Sequence, residues 1–208
     1  WLVPGLYDAD RWNPDKVINY QSVKSVWLDK YQSVNQLVGN IDVVIEKSPP
    51  NMMRIKELSA QFKSYSFLAN NRDPYANCAS SLYRRRDADN ISAEKRLKVI
   101  DKVANKWLVR SLKVKELVQE LKIPLITYED FCKNPESVIE CLQTPDGVAE
   151  SMNPNAKVKV KDYKPQKIIS QNERQIATLS DREIAVITRV LANNEALLDF
   201  FNYALLKR

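Results

Sequence analysis

The sequence predicts an α/β fold, a parallel sheet flanked by helices. Short, β-branched apolar runs alternate with amphipathic helical stretches, as strands and crossover helices do in a parallel sheet. Only three glycines occur in 208 residues, which leaves little room for the tight hairpins of an antiparallel fold. The length is enough for one domain with a sizeable core, so residues 1–208 are read as a single domain.

Residues 1–19, with Pro4, Gly5 and Pro14, are irregular. From Tyr20 to Val38, the residues Val23, Trp27, Tyr31, Val34 and Val38 recur at spacings of three and four, which predicts a helix with one apolar stripe. Gly39-Asn40 is its stop. Ile41 to Ile45 (IDVVI) reads as a strand buried on both faces. Pro49-Pro50 leads into a helical stretch to Phe62, and Tyr65 to Ala69 (YSFLA) is a second strand. A helix follows to about Arg86, with Pro74 at its first position. Ser92 to Lys122 is a long amphipathic helix or a broken pair, its buried face marked by Val99, Val103, Trp107, Leu108, Leu112, Leu117 and Leu121. Ile123 to Thr127 (IPLIT) is a third strand, with proline near its start, where it is tolerated. Asn134-Pro135 opens a short helix, and residues 144–170 lack periodicity. Ser180 and Glu183 have capping-box spacing, opening a last helix with Ile184, Ile187, Val190, Leu191, Leu197, Leu198 and Phe201. Three strands are few for such a sheet, so another is expected at the N-terminus.

Composition narrows the chemistry. There is no histidine, which removes histidine triads, a histidine base and most zinc sites. Cys78, Cys132 and Cys141 are too few and scattered for a disulfide framework or a metal site. The net charge of +6 suits an anionic ligand, or equally a solvated basic surface. The lysines form no stripe with interleaved aromatics, which argues against nucleic acid. No run of eighteen apolar residues is present, so no membrane segment is expected.

Ligands of open α/β sheets bind beyond the carboxyl ends of the strands. Glu46-Lys47-Ser48 and Asn71-Arg72-Asp73 are expected there, each joining a strand to a helix start, where free backbone N–H groups favour phosphate. Arg72 offers a planar fork of donors to an anion, and Ser80 on the next helix offers a hydroxyl. Residue type alone equally allows Arg72 to pair with a surface carboxylate.

The run EKSPPN, then RDPYANCASS about twenty residues later, resembles the sulfotransferases that use 3′-phosphoadenosine 5′-phosphosulfate (PAPS). Trp107, the segment Tyr128-Glu129-Asp130-Phe131 with Asn134-Pro135-Glu136, and the closing Phe200-Phe201-Asn202-Tyr203 continue the resemblance, which spans about Ile41 to Tyr203. It implies a three-layer fold like that of P-loop NTPases. It also implies transfer of a sulfuryl group from PAPS to a hydroxyl or amine, leaving adenosine 3′,5′-bisphosphate. By this resemblance Arg72 and Ser80 bind the 3′-phosphate, and Lys161 and Lys164 belong to a basic loop that closes over it. The same lysines equally suit a solvated loop. Lys47 is placed as the cation for charge building on the bridging oxygen. Where cytosolic relatives read K-T-H, Pro49 stands in place of the histidine, so Glu46 is the candidate base, with an ion pair to a neighbouring helix as its other reading.

The family's phosphate-cradling loop needs small residues so that backbone N–H groups can approach the anion. Val3-Pro4-Gly5-Leu6 does not provide it. The chain starts at Trp1 rather than Met, so the first strand and the loop are expected upstream. The alternative is a non-catalytic, sulfotransferase-like subunit or scaffold with a protein partner. The acceptor is open among glycan, peptide and small molecule, with an anionic glycan suggested by charge. Relatives occur both in the cytoplasm and in the Golgi lumen.

Overall fold

Two short strands paired in parallel anchor the larger part of the chain. A computed structural model describes residues 8, 10–38, 43, 45–84, 90–142, 148–157, 159 and 164–206. Its helices are α1 (Tyr20–Val38), α2 (Ile55–Ser59), α3 (Pro74–Tyr83), α4 (Ala93–Leu121), α5 (Tyr128–Lys133), α6 (Glu136–Cys141), α7 (Val148–Ser151), α8 (Asn172–Ile176), α9 (Asp181–Leu191) and α10 (Glu195–Phe200). The strands are β1 (Ala69–Asn71) and β2 (Leu125–Thr127), and a 3-10 helix covers Pro49–Arg54. The chain divides into two compact units: Trp1–Phe67 with Leu142–Met152, and Leu68–Cys141 with Asn153–Arg208.

In the first unit, Tyr20 and Val23 of α1 are buried with Leu58 of α2, and Ile18, Val26, Trp27, Phe62 and Phe67 pack around them. The Trp27 and Phe62 rings stack at 6.2 Å. The stripe fades along the helix, and Val34 is exposed. Buried Arg54 donates from Nε to the Lys16 carbonyl at 2.8 Å, from Nη1 to the Arg11 carbonyl at 3.2 Å, and from Nη2 to the Asn13 carbonyl. A long side chain from the 3-10 helix thereby satisfies the backbone of the turns before α1.

Of the strand expected over 41–45, Ile41, Asp42 and Val44 lie outside the described residues. Val43 and Ile45 are not in a strand, and Ile45 is 76% exposed rather than buried on both faces. Local turn chemistry takes over directly after it. Glu46 Oε2 accepts from the Ser48 N–H at 3.0 Å and from Asn51 Nδ2 at 2.8 Å, just ahead of the Pro49-Pro50 pair.

In the second unit the expected parallel pairing is present, with Ala69, Asn70 and Asn71 opposite Leu125, Ile126 and Thr127. The strand read from Tyr65 to Ala69 begins only at Ala69, and Tyr65 is 55% exposed. Cross-strand bonding sets that boundary: the Ala69 N–H reaches the Pro124 carbonyl at 2.8 Å, the first link between the segments. Polar Asn70 and Asn71 are tolerated because their amides are bonded, to the Ile126 carbonyl at 3.1 Å and to Ser111 Oγ at 3.1 Å.

The stretch from Ser92 is one continuous helix of 29 residues, with the Ser92 side chain capping its start. Its buried face is Ile100, Ala104, Trp107, Ser111, Val114 and Leu117. That face shares Trp107 and Leu117 with the predicted stripe, whose Val99, Val103, Leu108 and Leu121 are half-buried, while Leu112 is 46% exposed. α4 packs against α3, α9 and β1, and small Ala104 and Ser111 are buried on it, Ser111 taking the Asn71 amide of β1. The last helix is broken into α9 and α10 around 192–194, and the capping box of Ser180 and Glu183 is formed. Tyr75, Leu82, Ile100, Ile184, Ile187, Leu191, Leu198 and Phe201 fill the core. Among the described residues, no helix is long and apolar enough to cross a membrane.

Candidate functional site

Because β1 and β2 run parallel and in register, their carboxyl ends emerge side by side. The residue that follows β1 is Arg72, and the one that follows β2 is Tyr128. The Arg72 guanidinium carbon lies 4.2 Å from the centre of the Tyr128 ring, a stacked cation–π contact that fixes the plane of the fork. Arg72 Nε and Nη2 both donate to Asn172 Oδ1, at 2.9 and 2.8 Å, and Nη2 also donates to Gln175 Oε1 at 2.6 Å. The Arg72 carbonyl accepts from Trp107 Nε1 at 2.8 Å. Among the described residues, no carboxylate forms an ion pair with Arg72.

Glu129 is the hub behind the arginine. Its Oε1 accepts from the Asp73 N–H at 3.1 Å and from Asn172 Nδ2, and its Oε2 accepts from the Tyr203 hydroxyl at 3.0 Å. Asn172 thus faces both ways, donating to Glu129 and accepting from Arg72. Tyr128 Oη ties in the preceding segment, donating to the Ile169 carbonyl at 3.3 Å and accepting from the Gln171 N–H at 3.2 Å. Asp73 caps α3 through the Ala76 N–H at 2.8 Å. Burial pushes the Asp73 carboxyl up, with the negative Glu129 adding to it. Burial, then the neighbouring Glu129 carboxylate, raises the Tyr203 hydroxyl, so it stays a donor.

The sequence candidates distribute over both units. Arg72 stands at the strand ends as expected. Ser80 is half-buried on α3, about 10 Å further along the helix axis than Asp73 by the rise per residue. Lys164 is exposed in the segment before α8, and Lys161 lies outside the described residues. Glu46 and Lys47 belong to the first unit and are exposed there. Asn172 and Gln175 were missed, since nothing near them in the chain marks them as partners of a residue one hundred positions earlier. Tyr128 and Glu129 were seen only as part of a motif. The signal for their role was their place directly after the third apolar run, where a parallel sheet sets them beside Arg72.

A protein-family model described as "Sulfotransferase family" matches residues 5–148, well over half of the chain. No curated protein and no solved structure matches.

Proposed function

Since the chain belongs to the sulfotransferase family, we propose that it transfers a sulfuryl group from PAPS to a hydroxyl or amine acceptor, with Arg72 receiving the cofactor's 3′-phosphate. One observation carries the reading: the Arg72 fork is held at the carboxyl ends of two parallel strands, stacked on Tyr128, and bonded to neutral amide oxygens. A cation in that state suits an anion better than a cation already spent on a carboxylate. The three-layer, P-loop-like arrangement implied by the resemblance is part of this reading, and the parallel pairing of β1 with β2 supports it as far as an α/β fold.

When bound, the cofactor supplies the activated sulfuryl group and the bisphosphate leaving group. The remaining work falls to side chains. Arg72 binds the 3′-phosphate, with Ser80, Lys161 and Lys164 as further donors to it. Lys47 offsets charge on the bridging oxygen. Glu46 takes the acceptor's proton; its Oε2 is held by Ser48 and Asn51, which orients the carboxylate. The +6 charge favours an anionic acceptor such as a glycan.

The test is calorimetric titration of adenosine 3′,5′-bisphosphate into the full chain, with AMP as control and Arg72→Ala alongside. The 3′-phosphate is the only difference between the ligands. The expected result is a preference for the bisphosphate of roughly tenfold or more, lost in Arg72→Ala. No binding by the folded protein would sink this reading and leave a sulfotransferase-like fold kept as a subunit or scaffold.

A further inference from the structure

Arginines in this protein are satisfied in different ways. Arg96 is paired with Glu183 at 2.8 Å and Arg189 with Asp101 at 2.9 Å, so their charges are met by carboxylates. Arg72 is held just as firmly, by three side-chain hydrogen bonds and a ring, yet its acceptors are the amide oxygens of Asn172 and Gln175. Amides fix a guanidinium as carboxylates do, but they leave its unit charge uncompensated. Two carboxyls lie near: Glu129 is occupied by donors from Asp73, Asn172 and Tyr203, and Asp73, which feels the Arg72 charge without bonding to it, caps α3 through the Ala76 N–H. Asn172 stands between Glu129 and Arg72, with its NH₂ group on the first and its oxygen on the second. It therefore spaces the anion from the cation while bonding to both.

We infer that Asn172 and Gln175 are positioning residues, a neutral clamp that grips the Nε–Nη2 edge of Arg72 and leaves Nη1 and the unit charge available to an anionic ligand. This rests on the reading of Arg72 as a phosphate-binding residue and adds what that reading lacks, namely why the arginine is not neutralised. The clamp lies on α8, beyond residues 5–148 that match the family.

Gln175→Glu tests it. The replacement has the same shape and accepts the same hydrogen bond from Nη2, but it places a carboxylate on Arg72. Thermal denaturation should show stability at least equal to the parent, because an ion pair replaces a neutral bond. Calorimetry on the full chain should show the affinity for adenosine 3′,5′-bisphosphate falling about tenfold or more, with AMP unchanged. Gln175→Leu removes the acceptor without adding charge, so its loss should be clearly smaller, about threefold.

Parent-like bisphosphate binding by Gln175→Glu, in a protein whose 3′-phosphate preference is lost in Arg72→Ala, would overturn the clamp and leave the phosphate site standing. Equal losses in the two Gln175 variants would also overturn it, since the amide would then matter as a scaffold and not for its neutrality. So would failure of Gln175→Glu to fold, because the clamp requires a tolerated carboxylate there. Absence of any preference for the bisphosphate in the parent protein would overturn both readings together.

Discussion

Arg96 of α4 and Glu183 of α9 form an ion pair at 2.8 Å, with the Glu183 side chain 3% exposed and that of Arg96 20% exposed. The carboxylate is fully used: Oε1 meets Arg96, while Oε2 accepts from the Ser180 N–H at 2.8 Å and the Ser180 hydroxyl at 3.0 Å. One residue thus closes a helix cap and ties two core helices together. Glu183→Ala removes the ion pair to Arg96 and the reciprocal bond to Ser180, and should cost about 2–3 kcal/mol. Burial alone would raise the Glu183 carboxyl, but the bonds from Arg96 and Ser180 outweigh it and hold the group below its ordinary value. Its contribution is therefore full above the ordinary carboxylate range and is lost as pH falls through the depressed value. Thermal denaturation from pH 7 to 3 should show a steeper loss in the parent than in Glu183→Gln.

Asp73 should behave in the opposite sense. Its carboxyl is raised, chiefly by burial and also by Glu129, although the Ala76 N–H bond pulls the other way. A raised group favours folding at low pH and loses that contribution as pH rises through its folded value. Asparagine caps a helix about as well as aspartate. Asp73→Asn should therefore be more stable than the parent at pH 7, by about 0.5–1 kcal/mol, with the gain disappearing near pH 3. Urea denaturation at the two pH values checks this, and a variant less stable at pH 7 would refute it.

What could be read from the sequence follows from how local each signal was. The Ser180–Glu183 box and Pro74 at a helix start depend on residues a turn apart, and both are in place. Arg72 was legible because a strand end, a charged fork and a proline-led helix fall within a few residues. The start of β1 was not, because Tyr65 and Phe67 look like strand residues while pairing with β2 begins at Ala69. The buried face of α4 was read only in part: Trp107 and Leu117 are buried as expected, while Ala104 and Ser111 were missed. Ala104 and Ser111 carry little apolar signal, yet close packing favours small residues there. Asn172 and Gln175 are ordinary polar residues until the chain brings them to Arg72.

Trp107 supports that same turn through the backbone. Its indole N–H donates to the Arg72 carbonyl at 2.8 Å, and its ring packs edge-on against Phe201 at 6.5 Å and tilted against Tyr203 at 6.2 Å. Trp107→Phe keeps an aromatic ring in the core but leaves the carbonyl without this donor. The expected cost is about 1–3 kcal/mol by urea denaturation. A change below about 0.5 kcal/mol would mean that water or another donor replaces the indole.

Arg54 offers the corresponding test in the first unit. It is 3% exposed, and it donates to three backbone carbonyls, at residues 11, 13 and 16. The turns before α1 are thus stapled by a distant cation rather than by their own hydrogen bonds alone. Arg54→Met keeps much of the apolar stem and removes all three donors, for a cost of about 2–4 kcal/mol. Because Arg11 and Lys16 are themselves trypsin sites within the stapled turns, loosening can be followed directly. Cleavage after these residues should accelerate about tenfold or more in Arg54→Met, since proteolysis of a locally opened segment tracks its open population. Cleavage within twofold of the parent rate would show that the turns hold their shape without the arginine.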